Sequence, residues 1–251
     1  MNKNIVFIIN IKETDRPNRS QSYHYSVLSW KAWCKKNNCD LFVLEESLFS
    51  KEIMNTIWQK IYIYDLLESN NIEYNQILIV DADTIIHPNA PNIFDLTDEK
   101  FNVVRAYGSM DWVCRSYENY KKYVFPEITF SPFDYFNAGV IIINKKHKEL
   151  YKKLQNFYFD NRELLQKLQS TYGTGTDQPV LNFFLRKENV DFKILPYEWN
   201  MQDMARWEIL DNNFTFTKIG WLYHFCAIEG GPNAVNYWME KTYKYLYDTK
   251  K

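Results

Sequence analysis

Glycine is scarce in this chain: there are seven in 251 residues, and none precedes Gly108. That removes from the N-terminal half both glycine-rich devices that hold nucleotide phosphates on backbone N–H groups, the G-x-G-x-x-G turn and the G-x-x-x-x-G-K loop. A nucleotide bound there has to be held another way. Long apolar runs are missing too. The first ends at Asn10, too short for the core of a signal peptide and without a small-residue cleavage site. No later stretch approaches the roughly 20 residues a membrane-spanning helix needs. The expectation is a soluble, cytoplasmic protein with no transmembrane segment. Nor is there an excess of either charge: 30 basic and 31 acidic residues leave a net charge of -1. Without the positive field that nucleic-acid binders direct at phosphates, DNA and RNA are excluded as partners. The four cysteines, Cys34, Cys39, Cys114 and Cys226, form no C-x-x-C pair. Cys34 and Cys39 are spaced wrongly for a zinc knuckle, which leaves reduced, mostly buried thiols.

Apolar side chains, by contrast, are plentiful. At 46% hydrophobic content, 251 residues can bury a substantial core, and the length suits one large α/β domain, 1–251. Residues 4–11, a short β-branched run with polar ends, predict a strand buried on both faces. After a polar loop carrying Asp15, Arg16, Pro17 and Asn18, the positions Tyr23, Val27, Trp30 and Cys34 recur at three- and four-residue steps and mark an amphipathic helix. Residues 41–44 read as a second strand, and Ile53, Ile57, Ile61 and Tyr64 as a second helical stripe. Residues 76–80 are a third strand, ending abruptly in Asp81. That order, with short connections, predicts an α/β fold: a mostly parallel, Rossmann-like sheet flanked by helices. Ligands of such sheets bind at the carboxyl ends of the strands.

Further on, 102–106 reads as a fourth strand, 107–136 as an irregular aromatic stretch, 138–143 as a strand and 148–169 as a helix carrying Leu150, Leu154, Phe157, Leu164 and Leu168. The tail predicts a smaller mixed β region, with strands at 192–195 and 214–223, and a closing helix at 237–247. His24 and His147 read as partly exposed residues at helix flanks, and His87 as a turn residue beside Pro88.

The chemistry concentrates at Ile-Leu-Ile-Val-Asp81-Ala-Asp83-Thr. Side chains alternate along a strand, so Asp81 and Asp83 turn to one side as the chain leaves the sheet while Ala82 faces away. Two converging carboxylates are unfavourable unless a cation or hydrogen-bond donors compensate them. A hard divalent ion, Mn²⁺ or Mg²⁺, meets that need and leaves positions free for phosphate oxygens. Taken alone, a D-x-D is also how a strand ends or a turn is capped. Its setting at the end of the third parallel strand favours the metal.

With these residues in order the chain resembles the retaining GT-A glycosyltransferases of family 8, a group that includes glycogenin and bacterial lipopolysaccharide galactosyltransferases. The likeness covers nearly the whole sequence. Trp58-Gln-Lys-Ile-Tyr resembles the segment whose basic residue approaches the donor, here Lys60, although a solvated lysine is equally consistent. Asp134-Tyr-Phe-Asn-Ala-Gly-Val resembles D-x-F-N-[SA]-G-V, which implies that Asn137 and Ala138 line the donor-sugar site, with Gly139 structural. Gly175-Thr-Asp-Gln-Pro-Val-Leu-Asn resembles G-x-D-Q-x-x-L-N, which implies that Asp177 and Gln178 contact the sugar near the reacting carbon; Asp177 is equally placed to cap the next helix. Leu195-Pro-Tyr-Glu-Trp-Asn resembles L-P-x-x-[YW]-N, making Asn200 a candidate for shaping the pocket and leaving Tyr197 and Trp199 to the core. Tyr223-His-Phe resembles the start of H-x-x-G-x-x-K-P-W, which implies His224 as the third metal ligand.

After His224 the likeness breaks down. The chain reads Phe-Cys-Ala-Ile-Glu-Gly-Gly-Pro, without the Gly, Lys and Trp of the motif, and that lysine contacts the donor diphosphate in the family. Gly230 and Gly231 offer a substitute, a nest of backbone N–H groups. The resemblance implies a nucleotide-binding half (1–106) and a sugar- and acceptor-binding half (107–251). Ile8, Asn10 and Ala82 join the donor-binding residues at the strand ends. The expected activity is transfer of a hexose from a nucleotide sugar, UDP-linked in this family, to a saccharide or other hydroxyl acceptor with retention of configuration. An inverting GT-A transferase and a non-catalytic carbohydrate- or nucleotide-sugar-binding protein stay open as alternatives.

Overall fold

The computed structural model of the protein describes residues 3–13 and 18–248. Of the polar loop read at 15–18, Asp15, Arg16 and Pro17 lie outside the described residues. The elements run β1 (Ile5–Ile9), α1 (Tyr23–Lys36), β2 (Asp40–Leu44), α2 (Ile63–Ser69), β3 (Gln76–Val80), β4 (Thr84–Ile86), β5 (Phe101–Arg105), α3 (Met110–Tyr123), β6 (Phe136–Asn144), α4 (Lys148–Tyr172), α5 (Asp177–Lys187), β7 (Phe192–Leu195), the single turn α6 (Trp207–Leu210), β8 (Leu222–His224) and α7 (Gly231–Tyr247).

Six strands form the central sheet in the order β2-β1-β3-β6-β5-β7. β1 pairs parallel with both β2 and β3, and β5 with β7, so the expected mostly parallel α/β sheet is what forms. β6 runs against both its neighbours. The order reverses at β1, which sends one crossover to β2 and the next to β3 on its other side. Such a reversal leaves a crevice beyond the carboxyl ends of the strands.

Alternation splits the core into two layers. Ile5, Phe7, Ile77, Ile79, Ile141 and Ile143 face the layer built with α2, α3, α4 and α5. Val6, Ile8, Leu78, Val80 and Ile142 face the opposite layer, with Trp30 and Trp33 of α1. A third cluster, under α7, packs Trp238 and Met239 against Tyr223 and Phe225.

Several expectations change in detail. The stretch 107–136 is not irregular: it contains α3, capped by Ser109, whose hydroxyl accepts from the Trp112 N–H. Its buried stripe is Val113, Ser116, Tyr117 and Tyr120. A serine in the stripe and exposed aromatics around it hide the helical period. The stripe at 53–64 opens as a 3₁₀ segment, Thr56–Tyr62, before α2. The strand expected at 214–223 is a 3₁₀ turn, Thr215–Lys218, followed by the short β8, because Asn213 and Phe214 take left-handed backbone with φ of 49° and 54°. The small second sheet is not a C-terminal unit: β8 pairs antiparallel with β4, directly after Asp83. His147 is buried rather than partly exposed, because its Nδ1 accepts from the Asn144 N–H in a capping box at the start of α4.

Candidate active site

A cavity of about 760 Å³ opens at the sheet's switch point, within the usual range for small-molecule sites. Its floor is the end of β3 and the start of β6. There Val80 pairs with Val140, and the Asp81 N–H donates to the Gly139 carbonyl at 3.0 Å. Asp81 and Asp83 project from this edge with side chains 26% and 23% exposed. Ala82 is buried in the layer under α1 while still meeting the cavity. The turn is anchored from behind. Thr84 Oγ1 donates to the Asp81 carbonyl at 2.8 Å and accepts from Trp30 Nε1 of α1 at 3.1 Å.

His224 arrives from 140 residues away because β8 pairs with β4 in the register Thr84↔His224. The Phe225 N–H then closes on the Asp83 carbonyl at 2.8 Å. His224 Nε2 lies 3.2 Å from Asp83 Oδ1 and 3.8 Å from Asp81 Oδ2, and the three side chains bring their ligand atoms within 4.8 Å of one another. Adjacent ligands of an octahedral divalent ion about 2.1 Å away stand about 3 Å apart, so this trio fits one face of such an ion. The two carboxylates are oxygen donors of the kind Mn²⁺ and Mg²⁺ take, and the imidazole favours the transition ion of the two.

The electrostatics point the same way. Burial raises the Asp81 carboxyl above its ordinary pKa against the pull of Lys60 and His224. Asp83 is also penalised by burial, but the adjacent His224 more than offsets that and holds it low. The His224 imidazole, disfavoured as a cation by burial, is raised well above its usual value by Cys226 and Asp83. The trio therefore draws positive charge to its centre.

Lys60 is not solvated. Its side chain is 3% exposed, with Nζ 3.1 Å from Asp81 Oδ1, 2.9 Å from Asp177 Oδ2 and 3.2 Å from the Ala138 carbonyl. An ammonium has three N–H donors; here it donates to Asp81 Oδ1 and the Ala138 carbonyl and forms an ion pair with Asp177 Oδ2. Burial opposes its charge, yet Asp177 and Asp81 outweigh that and keep it protonated. Asp177 is the first residue of α5, with Thr176 at the cap position, so its carboxylate meets Lys60 instead of capping the helix. Lys60 thus ties the Asp81 carboxylate to the Asp177 carboxylate.

Asn137, Ala138 and Gln178 lie beside them on the cavity wall. Gln178 Oε1 accepts from Asn137 Nδ2 and from the Ala138 N–H, both at 3.1 Å. Gly139 is structural at the site itself: a Cβ there would lie 2.4 Å from His224 Cε1 and 2.9 Å from Asp81 Oδ2.

Four expected donor residues stand differently. Ile8 faces the α1 layer, and it is Ile9 and Ile11, in phase with Asp81 and Asp83, that line the cavity. Asn10, also buried, is not on the lining; its N–H pairs with the Leu44 carbonyl. Gly230 and Gly231 open α7 with φ of 95° and 68° and stand off the cavity wall, which this loop reaches only through Cys226 and Ala227. Sequence reading passed over Arg19, Ser20 and Arg115, all on the lining, which Trp112 of the aromatic stretch 107–136 also joins. Arg19 and Ser20 sit in the turn before α1, and Arg115 and Trp112 on α3, whose faces only packing decides.

The fold is similar to that of a glycosyltransferase involved in glycosylation of the major capsid of PBCV-1, with a TM-score of 0.63 at 12% identity over 95% of this chain and 99% of that one. Galactosyltransferase LgtC, solved with donor and acceptor sugar analogs, gives 0.51 at 14% identity over 95% of both chains. The apo form of GlyE from Streptococcus pneumoniae TIGR4 gives 0.51 at 14% identity, covering 99% of this chain and 62% of that one. Curated proteins yield no match. The fold is thus that of the GT-A glycosyltransferases. The chain belongs to glycosyl transferase family 8, whose family model matches residues 3–229. Among the described residues, no helix is long and apolar enough to cross a membrane.

Proposed function

We propose that this protein transfers a hexose from a UDP-linked sugar to a saccharide hydroxyl with retention of configuration, using Mn²⁺ or Mg²⁺ held by Asp81, Asp83 and His224. The convergence of those three side chains on one wall of the cavity, with Asp177 and Gln178 across Lys60 from them, is the observation that carries the reading. When bound, the ion supplies Lewis-acid stabilisation of charge on the departing diphosphate. The first half of the chain would hold the nucleotide against Ile9, Ile11 and Tyr23, and the second half the sugar. Arg19, a cation on the cavity wall whose charge is favoured chiefly by Tyr23, would take the diphosphate role of the lysine that family members carry after the histidine. Asp177 and Gln178 would orient the sugar. An Asp177 carboxylate already paired with Lys60 suits positioning better than nucleophilic attack.

The acceptor would enter past α3, where Trp112 lies against Gly175 so closely that a Cβ at that glycine would come within 2.6 Å of the ring. Tyr117 is buried in the core and does not take part in this entry. Trp112→Ala is expected to raise acceptor KM several-fold with donor KM unchanged; an unchanged acceptor KM removes α3 from the entry route.

Thermal unfolding with UDP, GDP, CDP and ADP, each with and without Mn²⁺, tests the donor site. A ligand at about 100 times its Kd adds about 2.7 kcal/mol to the stability of the folded state. The expected result is a shift with UDP that requires both Mn²⁺ and Asp83, and that is absent in Asp83→Ala. No shift with any nucleotide would favour a binding protein that has kept the fold without turnover. The anomeric configuration of the product, read by NMR, separates retention from inversion.

A further inference from the structure

Side-chain amides orient themselves by the network around them, and in this site backbone groups leave the network a single solution. The Gly139 N–H donates to Asn137 Oδ1 at 2.7 Å, and the Ala138 N–H donates to Gln178 Oε1 at 3.1 Å. A backbone N–H can only donate, so both oxygens are identified. Asn137 Nδ2 must then face Gln178 Oε1, at 3.1 Å. Asn137 Oδ1 takes a second donor, Asn200 Nδ2, at 2.9 Å. That leaves Asn200 Oδ1, an atom that can only accept, 3.0 Å from His224 Nδ1. The ring nitrogen there must carry the proton, and Nε2 is the atom left to face Asp81 and Asp83. Asn200 is fully buried, so no water competes for the contact.

We propose that Asn200 is a positioning residue that fixes His224 in the Nδ1-protonated form and links the cation site to the amides of the sugar site, so that cation affinity depends on a side chain that does not touch the cation. This rests on the cation reading of Asp81, Asp83 and His224. The link runs in one polarity, His224 to Asn200 to Asn137 to Gln178. Each member donates to the next acceptor, and the last two acceptors are held by the backbone of β6. Partners behind a ligating imidazole set its tautomer and ring orientation, and their loss lowers metal affinity by about 10- to 100-fold. Asn200 occupies that position here, although it lies outside the cavity lining.

The test uses two variants of the full chain with different expected losses. Asn200→Leu removes both hydrogen bonds and is expected to raise the Mn²⁺ Kd, measured without donor from the free-ion EPR signal, by about 10- to 100-fold. Asn200→Asp keeps an acceptor for the Nδ1–H and loses the donor to Asn137. It is expected to hold the Mn²⁺ Kd within a few-fold of wild type while weakening nucleotide-sugar binding. In ¹⁵N-labelled wild type loaded with diamagnetic Mg²⁺, long-range ¹H–¹⁵N spectra should show His224 protonated at Nδ1 only. A folded Asn200→Leu with wild-type Mn²⁺ affinity, or a wild-type ring protonated at Nε2, overturns the role of Asn200. Should Asn200→Leu fail to fold, the wild-type tautomer and Asn200→Asp still decide the matter. Wild type that binds no Mn²⁺ overturns the cation reading itself, and this role of Asn200 with it.

Discussion

Replacing Gly139 with alanine sets two local effects against each other. Gly139 lies inside β6 and its φ is not in the left-handed region, so an alanine backbone fits without strain. On chain entropy alone the change would stabilise the protein by about 0.5–1 kcal/mol. The added Cβ, however, would lie 2.4 Å from His224 Cε1, 2.8 Å from Asn137 Oδ1 and 2.9 Å from Asp81 Oδ2. Carbon atoms rest about 3.5–4.0 Å apart, so the imidazole has to retreat by about 1 Å. Overpacking of this kind costs about 1–3 kcal/mol, which leaves a net loss between about 0 and 2.5 kcal/mol. The effect on the site should be larger than on the fold, because a 1 Å misplacement is worth about 100-fold where geometry matters. The Mn²⁺ Kd of Gly139→Ala is expected to rise by about 10- to 100-fold with a modest fall in the urea midpoint. Gly108→Ala is the control: it also lines the cavity, but a Cβ there meets nothing within 4 Å. If Gly139→Ala binds Mn²⁺ as tightly as Gly108→Ala does, the crowding argument is wrong.

Two further outcomes are expected. Lys60→Met strips the counter-charge from Asp177, whose side chain is 4% exposed, and from Asp81. Breaking a buried pair in this way should lower stability by about 3–5 kcal/mol in urea titrations, and a loss under about 1 kcal/mol would show that Lys60 is not the clamp described. His147 is pushed down to about 4 by burial, so the unfolded chain binds its proton more readily. The stability it contributes is complete above about pH 6.5 and is lost as pH falls towards 4, an effect of about 3 kcal/mol. Between pH 7.5 and 4.5, His147→Gln should therefore lose less stability than wild type by about 2–3 kcal/mol; parallel losses in the two proteins would refute the assignment.

The local pattern determined more of this protein than its low glycine content suggests. The runs at 76–80 and 192–195 became β3 and β7 at their expected bounds, the first buried within the sheet and the second half-buried at its edge, because a short β-forming run bounded by polar or turn-forming residues is a local signal. Two aspartates at a strand end, two residues apart, converge by the geometry of one strand, and that too is written locally. What only tertiary structure decided is which distant residues meet them. His224 reaches Asp83 through the β4–β8 pairing, Asp177 reaches Lys60 because α5 begins over the start of β6, and Asn200 reaches His224 through buried amides. The phase of β1 was open for the same reason. Alternation says that Ile8 and Ile9 face opposite ways, but only the packing of α1 shows that Ile9 and Ile11 take the cavity side. α3 stayed hidden because exposed aromatics blur its buried stripe, and the exposure of a ring is a property of the assembled fold. Spacing along the chain sets which way neighbouring side chains point; long-range pairing, whose loop-closure entropy is recovered only when the whole core forms, sets what they point at.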